Sequence, residues 1–310
     1  MLKALYLHTP YCKTACSYCV YDSNQASQEE INDYFDNKLP EVLSSKPFKD
    51  LLTNNNFKEL YCGGGTPTIG SAQQWRNILE LIPLDNIAML CTECSPSTVT
   101  EDHVRLWRDY KFDWVSMGVQ SLRKEVLAKN NRISRPIDEL ERIIFDINDG
   151  GIISNIDLLC GIDKKDVSDV PYFLEEVSTA MLLINPVSIT IHIDINIATE
   201  TLREIYKELL RGLKKMEGRY TCVNHNLVYS ESDVMLNSEF RFMRDRKDFL
   251  FRQIAAGPTK LVKNWTTWKI SGSGIDHQVK EKESIREIAD SESSYHLCKK
   301  YRDALQLPFF

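Results

Sequence analysis

Glu59-Leu60-Tyr61-Cys62-Gly63-Gly64-Gly65-Thr66-Pro67-Thr68-Ile69-Gly70-Ser71-Ala72-Gln73-Gln74 reads as one strand, one turn and one helix start. Residues 59–62 suit a buried strand, and three glycines interrupt it. Ser71 then offers an N-cap, with Gln74 at the third helical position to complete a capping box. The same rhythm runs outward in both directions. Residues 3–8, 87–93, 114–118, 152–159 and 187–194 read as further strands. Between them, residues 28–44, 101–110, 136–148, 170–184 and 199–216 read as helices, Thr100 starting one and Gly150-Gly151 stopping another. This alternation predicts an α/β fold with a parallel sheet and crossover helices. Such a sheet either closes part-way as a barrel or lies open and doubly wound, and composition does not choose between the two. Polar residues recur at the C-terminal ends of the strands: His8 and Cys12, Gly63 to Thr66, Glu93, Gln120, His192 and Asp194. Ligands gather at that edge in both architectures.

With 310 residues, 43% of them apolar and 26% charged, the chain has an ordinary soluble composition and room for a large domain with an appendage. The rhythm breaks near Arg219, so residues 1–218 are expected to form the core domain. Residues 219–310, with Trp265, Trp268 and a Gly272-Ser273-Gly274 turn, are expected to form a small α+β region covering the open side of the sheet. No apolar run approaches the ~18 residues of a membrane span. Met1-Leu2-Lys3 leads straight into a strand-like run, with no room for a signal peptide, so a cytoplasmic protein without a membrane anchor is expected. Thirty-eight basic against 44 acidic residues, a net charge of −6, argue against a global electrostatic grip on nucleic acid.

The nine cysteines are an odd number, and three of them stand close together in Tyr6-Leu7-His8-Thr9-Pro10-Tyr11-Cys12-Lys13-Thr14-Ala15-Cys16-Ser17-Tyr18-Cys19. Such clustering points to metal ligation in a reducing compartment rather than to a disulfide framework. A cubane [4Fe–4S] cluster takes four ligands, and a loop supplying three leaves one iron open to a small molecule. His8 also makes a Cys3His zinc site chemically sound, and three buried cysteines without a ligand are the plainest reading. Cys91 and Cys94 bracket Glu93 at a spacing that a second cluster or a redox pair would use, but they lack partner residues. They read as structural, as do Cys62, Cys160, Cys222 and Cys298.

The cysteine loop resembles the signature of the radical S-adenosylmethionine (SAM) superfamily. Tyr6-Leu-His-Thr-Pro-Tyr-Cys12 is similar to Tyr-Ile-His-Ile-Pro-Phe-Cys of its branch of oxygen-independent coproporphyrinogen III oxidases and haem chaperones. Gly63-Gly-Gly-Thr-Pro-Thr68 matches the Gly-Gly-Gly-Thr-Pro-Thr of that branch. Ser116-Met-Gly-Val-Gln-Ser121 resembles its Ser-x-Gly-Val-Gln-Ser, and Asn155-Ile-Asp-Leu-Leu-Cys-Gly161 its Asn-x-Asp-Leu-Ile-x-Gly. Tyr21 stands where the oxidases carry a further cysteine. The resemblance implies a partial (β/α)6 TIM-like barrel in which Cys12, Cys16 and Cys19 hold a [4Fe–4S] cluster and SAM chelates the open iron. It implies SAM contacts from Tyr6, near the cluster-bound cofactor, and Tyr18, at the adenine. Gly64, Gly65 and Thr66 would meet the methionine amino group, and Glu93 that group or the ribose. Gln120 would reach the ribose or carboxylate, Arg132 would pair with the carboxylate, and Asp157 would bind hydroxyls.

The implied activity is reductive cleavage of SAM, the 5′-deoxyadenosyl radical then abstracting hydrogen from a small organic substrate such as a tetrapyrrole. A low-potential electron donor, flavodoxin or ferredoxin, is implied as partner. His225-Asn-Leu-Val-Tyr229 resembles a His-Asn-x-x-Tyr-Trp segment associated with haem handling, with Ser230 in place of the tryptophan. His192, Asp194 and His225 are the candidates for substrate contact. Two alternatives lie within the same resemblance: a methyltransferase or cyclopropanase using a second SAM, and a non-catalytic haem chaperone.

Overall fold

The computed structural model describes residues 2–19, 23–193, 199–216, 220–229, 235–244 and 265–280. Its strands are β1 (Leu2–Thr9), β2 (Tyr11–Cys12), β3 (Asn24–Gln25), β4 (Glu59–Gly64), β5 (Met89–Cys94) and β6 (Trp114–Gln120). They continue with β7 (Ile153–Cys160), β8 (Ser188–Ile193), β9 (Tyr220–Tyr229), β10 (Met235–Arg244), β11 (Trp265–Ser271) and β12 (Gly274–Lys280). Ten of them form one sheet in the order β12-β11-β1-β4-β5-β6-β7-β8-β10-β9.

From β1 through β8 the sheet strands are parallel, and each lies beside its predecessor in the chain. A doubly wound sheet requires a reversal of strand order at a switch point. From β1 to β8 there is none, so the winding of these six sheet strands is that of a partial barrel. The four later strands extend the same sheet. β11 pairs parallel with the outer edge of β1 and β12 antiparallel with β11, while β10 and β9 add antiparallel beyond β8.

Strand periodicity divides the residues by face. Leu5, Leu7, Leu60, Val115, Met117, Ile156, Leu158, Ile189 and Ile191 pack with helix residues such as Phe35, Ile78, Trp107, Ile147, Phe173 and Leu209 into one apolar core. The alternate positions carry Tyr6, His8, Tyr61, Glu93, Ser116, Asn155, Asp157, Thr190 and His192, so the concave face of the sheet is polar.

The helices begin where side chains can satisfy their free amides. Ser27 with Glu30, Ser71 with Gln74 and Thr100 with His103 each form a capping box. The helical run expected at 28–44 is present but contains a π turn, Tyr34–Lys38, and that at 170–184 ends in another, Ala180–Ile184. Each π turn absorbs one extra residue, so the apolar faces on either side stay aligned in space while the sequence period shifts by one. Three helices not expected from the sequence, Lys46–Asn54, Lys124–Lys129 and Lys164–Ser168, are short. Among the described residues no helix is long and apolar enough to cross a membrane.

Candidate functional site

The cysteine loop leaves β1 at Thr9 and is bracketed by the pairing of β2 with β3. Two backbone bonds lock its entrance to the glycine turn: Gly65 N–H to Thr9 O at 2.6 Å and Thr66 N–H to Tyr11 O at 2.9 Å. Gly64 has φ +112°, and a Cβ there would stand 2.5 Å from Thr9 O; one on Gly65 would stand 2.4 Å from Tyr11 O and 3.0 Å from Cys12 Sγ. The turn therefore needs glycine both for its dihedral and for its closeness to the loop. Cys12 Sγ lies 3.3 Å from Thr66 Oγ1. On the other side, the Tyr34 hydroxyl, aimed inward by the π turn, donates to the His8 carbonyl oxygen.

The far end of the loop is tied to β6 and the helix after it. Ser17 Oγ donates to Asn130 Oδ1 at 2.5 Å. Arg132 places Nη1 3.9 Å from Cys16 Sγ, donates through Nη2 to Gly118 O, and keeps Nε buried without a hydrogen-bond partner. Tyr18 packs on Val126, Leu127, Leu159 and Ile162. Burial pushes its phenol well above the usual range; Arg132 opposes the shift, and the Cys16 and Cys19 thiols add to it.

Cys12, Cys16 and Cys19 are all free of disulfides. No three His, Cys, Asp or Glu side chains among the described residues converge on one metal ion. A Cys3His zinc site would need His8 and the three thiols to meet on a single ion. A cubane cluster puts each cysteine on a different iron, so its ligands need not meet at a point. Three loop thiols, a glycine cradle against Cys12 and an unsatisfied guanidinium nitrogen beside Cys16 fit a cluster carrying an anionic ligand.

The polar face of the sheet supplies a connected set. Tyr61 Oη donates to Glu93 Oε1 at 2.6 Å, and the Tyr61 ring stacks on Tyr6 with centroids 5.8 Å apart. Burial pushes Glu93 up to about 7; the Tyr61 hydrogen bond opposes this, the Asp157 charge adds to it, and Gly64 N–H and His192 oppose it. Asp157 accepts from Ser116 Oγ and from Asn155 Nδ2, both at 2.8 Å, and Thr190 Oγ1 donates to Asn155 Oδ1 at 3.0 Å. His192 Nε2 is 3.8 Å from Asp157 Oδ1. Gln120 ends β6 at a bulge with φ +69°, and a Cβ on Gly118 would stand 2.9 Å from its Nε2 and 3.0 Å from Arg132 Nη2.

Tyr6, Gly64, Gly65, Thr66, Glu93, Gln120, Arg132, Asp157 and His192 thus lie on neighbouring strands or turns with the cysteine loop. Asp194 lies outside the described residues. His225 is on β9, opposite Phe240 of β10 and two strands beyond β8. Cys91 and Cys94, three residues apart on a strand, point to opposite faces and form no pair. Burial pushes the Cys62, Cys94 and Cys160 thiols far up, as suits structural cysteines.

Sequence reasoning missed two features. One is Tyr61, whose only signal is its odd-even register with Gly63. The other is a buried ion cluster at the ends of β6 and β7. Arg123 Nη2 binds Asp166 Oδ1 and Glu176 Oε2, each at 2.7 Å, and its guanidinium lies 4.3 Å from the Tyr172 ring centre. Ser121 Oγ donates to Glu176 at 2.6 Å and Gly161 N–H to Asp166 at 3.2 Å, so the cluster joins the exits of the two strands.

The sequence profile of the Radical SAM superfamily matches residues 6–177, over half of the chain, and the protein belongs to that superfamily. Within it, the chain falls in the branch of oxygen-independent coproporphyrinogen III oxidases and haem chaperones. It is 27% identical over 173 residues to the "Heme chaperone HemW" of Haemophilus influenzae, covering 54% of this chain and 45% of that protein. It is 31% identical over 170 residues to the "Oxygen-independent coproporphyrinogen III oxidase" of Helicobacter pylori, covering 52% of this chain and 36% of that one. The aligned region therefore spans less than half the length of these relatives. The fold is that of coproporphyrinogen III oxidase (HemN) from Escherichia coli, with a TM-score of 0.65 at 20% identity over 91% of this chain and 67% of the other.

Proposed function

We propose that the chain binds a [4Fe–4S] cluster through Cys12, Cys16 and Cys19, binds SAM beside it, and cleaves SAM reductively to oxidise or alter an organic substrate, a tetrapyrrole by its kinship. The observation that carries this reading is Arg132. One guanidinium reaches the Cys16 thiol and the carbonyl at the glutamine strand end, and still holds a buried nitrogen for an anion. When bound, cluster and SAM supply one-electron cleavage of a sulfonium and a primary carbon radical.

The chain's own residues do the rest. The glycine turn admits the amino-acid end of SAM, and Arg132 pairs with its carboxylate. Glu93, Gln120 and Asp157 accept from its amino group and hydroxyls, while Tyr18 offers an aromatic face to the adenine. Residues 1–218 act as the cofactor-binding core and residues 219–310 as the substrate-covering region, with His192, Asp194 and His225 near the substrate. A low-potential carrier such as flavodoxin or ferredoxin delivers the electron.

Anaerobically reconstituted protein with dithionite and SAM should form 5′-deoxyadenosine, read by mass spectrometry. Haem-chaperone relatives match this chain about as well as oxidases do. That favours one second reading, a haem carrier that keeps the cluster. Tight haem binding with no 5′-deoxyadenosine formed would support the carrier and sink the catalytic proposal.

A further inference from the structure

Tyr61 belongs to no motif, yet it stands between two proposed SAM contacts. Its hydroxyl donates to Glu93 Oε1 at 2.6 Å, and its ring stacks on Tyr6 at an interplanar angle of 16°. A Cβ on Gly63 would stand 2.9 Å from both Tyr61 Cε1 and Tyr6 Oη, so the two phenols fill the space beside the first glycine of the turn. Resting on the reading of Glu93 as a SAM contact, we infer that Tyr61 is a positioning residue: its phenol holds the Glu93 carboxylate as an acceptor for SAM.

Only the ionised carboxylate is a strong acceptor for the amino or ribose donors of SAM. Burial and Asp157 of β7 drive Glu93 toward its neutral form, whereas the Tyr61 hydroxyl, Gly64 N–H and His192 of β8 favour the anion. The Glu93 charge in turn helps hold the buried thiols of Cys62 and Cys94 protonated. Of the groups favouring the anion, the Tyr61 hydroxyl has the largest effect. Losing a donor to a buried carboxylate raises it by about one pH unit. With Glu93 starting near 7, the ionised fraction at neutral pH falls from about half to about a tenth.

The test is anaerobic SAM titration of the cluster-loaded protein at about pH 6, 7 and 8.5, with iron content recorded for each variant. Tyr61→Phe should raise Kd about five- to tenfold at neutral pH and come within about twofold of the unaltered protein at the alkaline end. On a Glu93→Gln background the same change should add nothing. An unchanged Kd at neutral pH, or one factor at every pH, overturns the inference while leaving the functional reading intact. Failure of the unaltered protein to bind SAM overturns the functional reading, and this inference with it. Should Tyr61→Phe fail to retain iron, Glu93→Asp withdraws the carboxylate from the phenol without disturbing the aromatic stack. Affinity kept within about twofold in that variant, against the expected loss, also overturns the proposal.

Discussion

Replacing Arg123 with Met should cost this fold more than any other single charge removal described above. Its partners cannot turn to water: the Asp166 side chain is 0% exposed and that of Glu176 4%. Met keeps most of the packing volume against Tyr172 but strands two carboxylates with no cation between them. Breaking a buried pair on one side costs about 3–5 kcal/mol, on the order of 10 °C in melting temperature for a domain of this size. The pH dependence follows from the same geometry. In the intact protein burial pushes Asp166 and Glu176 up and Arg123 pulls both down. Without Arg123 both carboxyls rise further above their unfolded values, so the folded state binds more protons than the unfolded one. Stability is then present at low pH and lost as pH rises through the folded pKa values. Urea unfolding followed by tryptophan fluorescence at about pH 5.5 and 8 should show Arg123→Met recovering part of its loss at the acid end. A loss below about 1 kcal/mol, or no recovery on acidification, would refute the reasoning.

Ala at any one of Cys12, Cys16 or Cys19 should abolish the broad absorbance near roughly 400 nm of anaerobically reconstituted protein, with iron falling in parallel. Gly64→Ala should lower stability by about 2 kcal/mol and weaken SAM binding, because φ +112° is compounded by the 2.5 Å approach to Thr9 O. Gly151→Ala, at φ +76° with nothing within 4 Å, should cost about 1 kcal/mol and leave SAM affinity alone; chemical denaturation measures both. His103 sits in a capping box with Thr100, its Nε2 2.8 Å from Gly70 O, and burial holds it below the usual imidazole range. The unfolded chain therefore takes up this proton first, and stability should fall as pH drops below about 6.5. His103→Gln, which keeps a capping-box side chain, should flatten that part of the melting-temperature profile.

The repeated units were legible because each advertises itself locally. Ser71 with Gln74 fixes a helix start from four residues, and the glycines of 63–65 fix the turn before it. The candidate site residues could be picked out for a related reason: most of them sit at strand ends, where a polar side chain interrupts an apolar run. What stayed hidden depends on distance in the chain. Glu176 and Arg123 are an ordinary helix acid and an ordinary base until the fold places them 2.7 Å apart. Tyr61 reads as one more strand aromatic, since β-propensity makes no distinction between a ring in the core and one bonded to Glu93. Composition alone could not choose between barrel and open sheet, because the choice rests on which strand pairs with which; the resemblance carried by the cysteine loop and strand-end motifs supplied the partial barrel, and the order of β1 to β8 agrees with it.

The pairing of β1 with β11 has a consequence for the order in which the molecule can be assembled. Leu2 lies opposite Trp265, so the strand that delivers the cysteines gains its second neighbour only after the segment that starts at Trp265 has left the ribosome. Until then its outer row of amides and carbonyls is bare, a long-range contact of the kind that slows folding. A nascent chain stalled before residue 265 should therefore show rapid amide exchange along the outer edge of β1, with the inner pairing to β4 already protected.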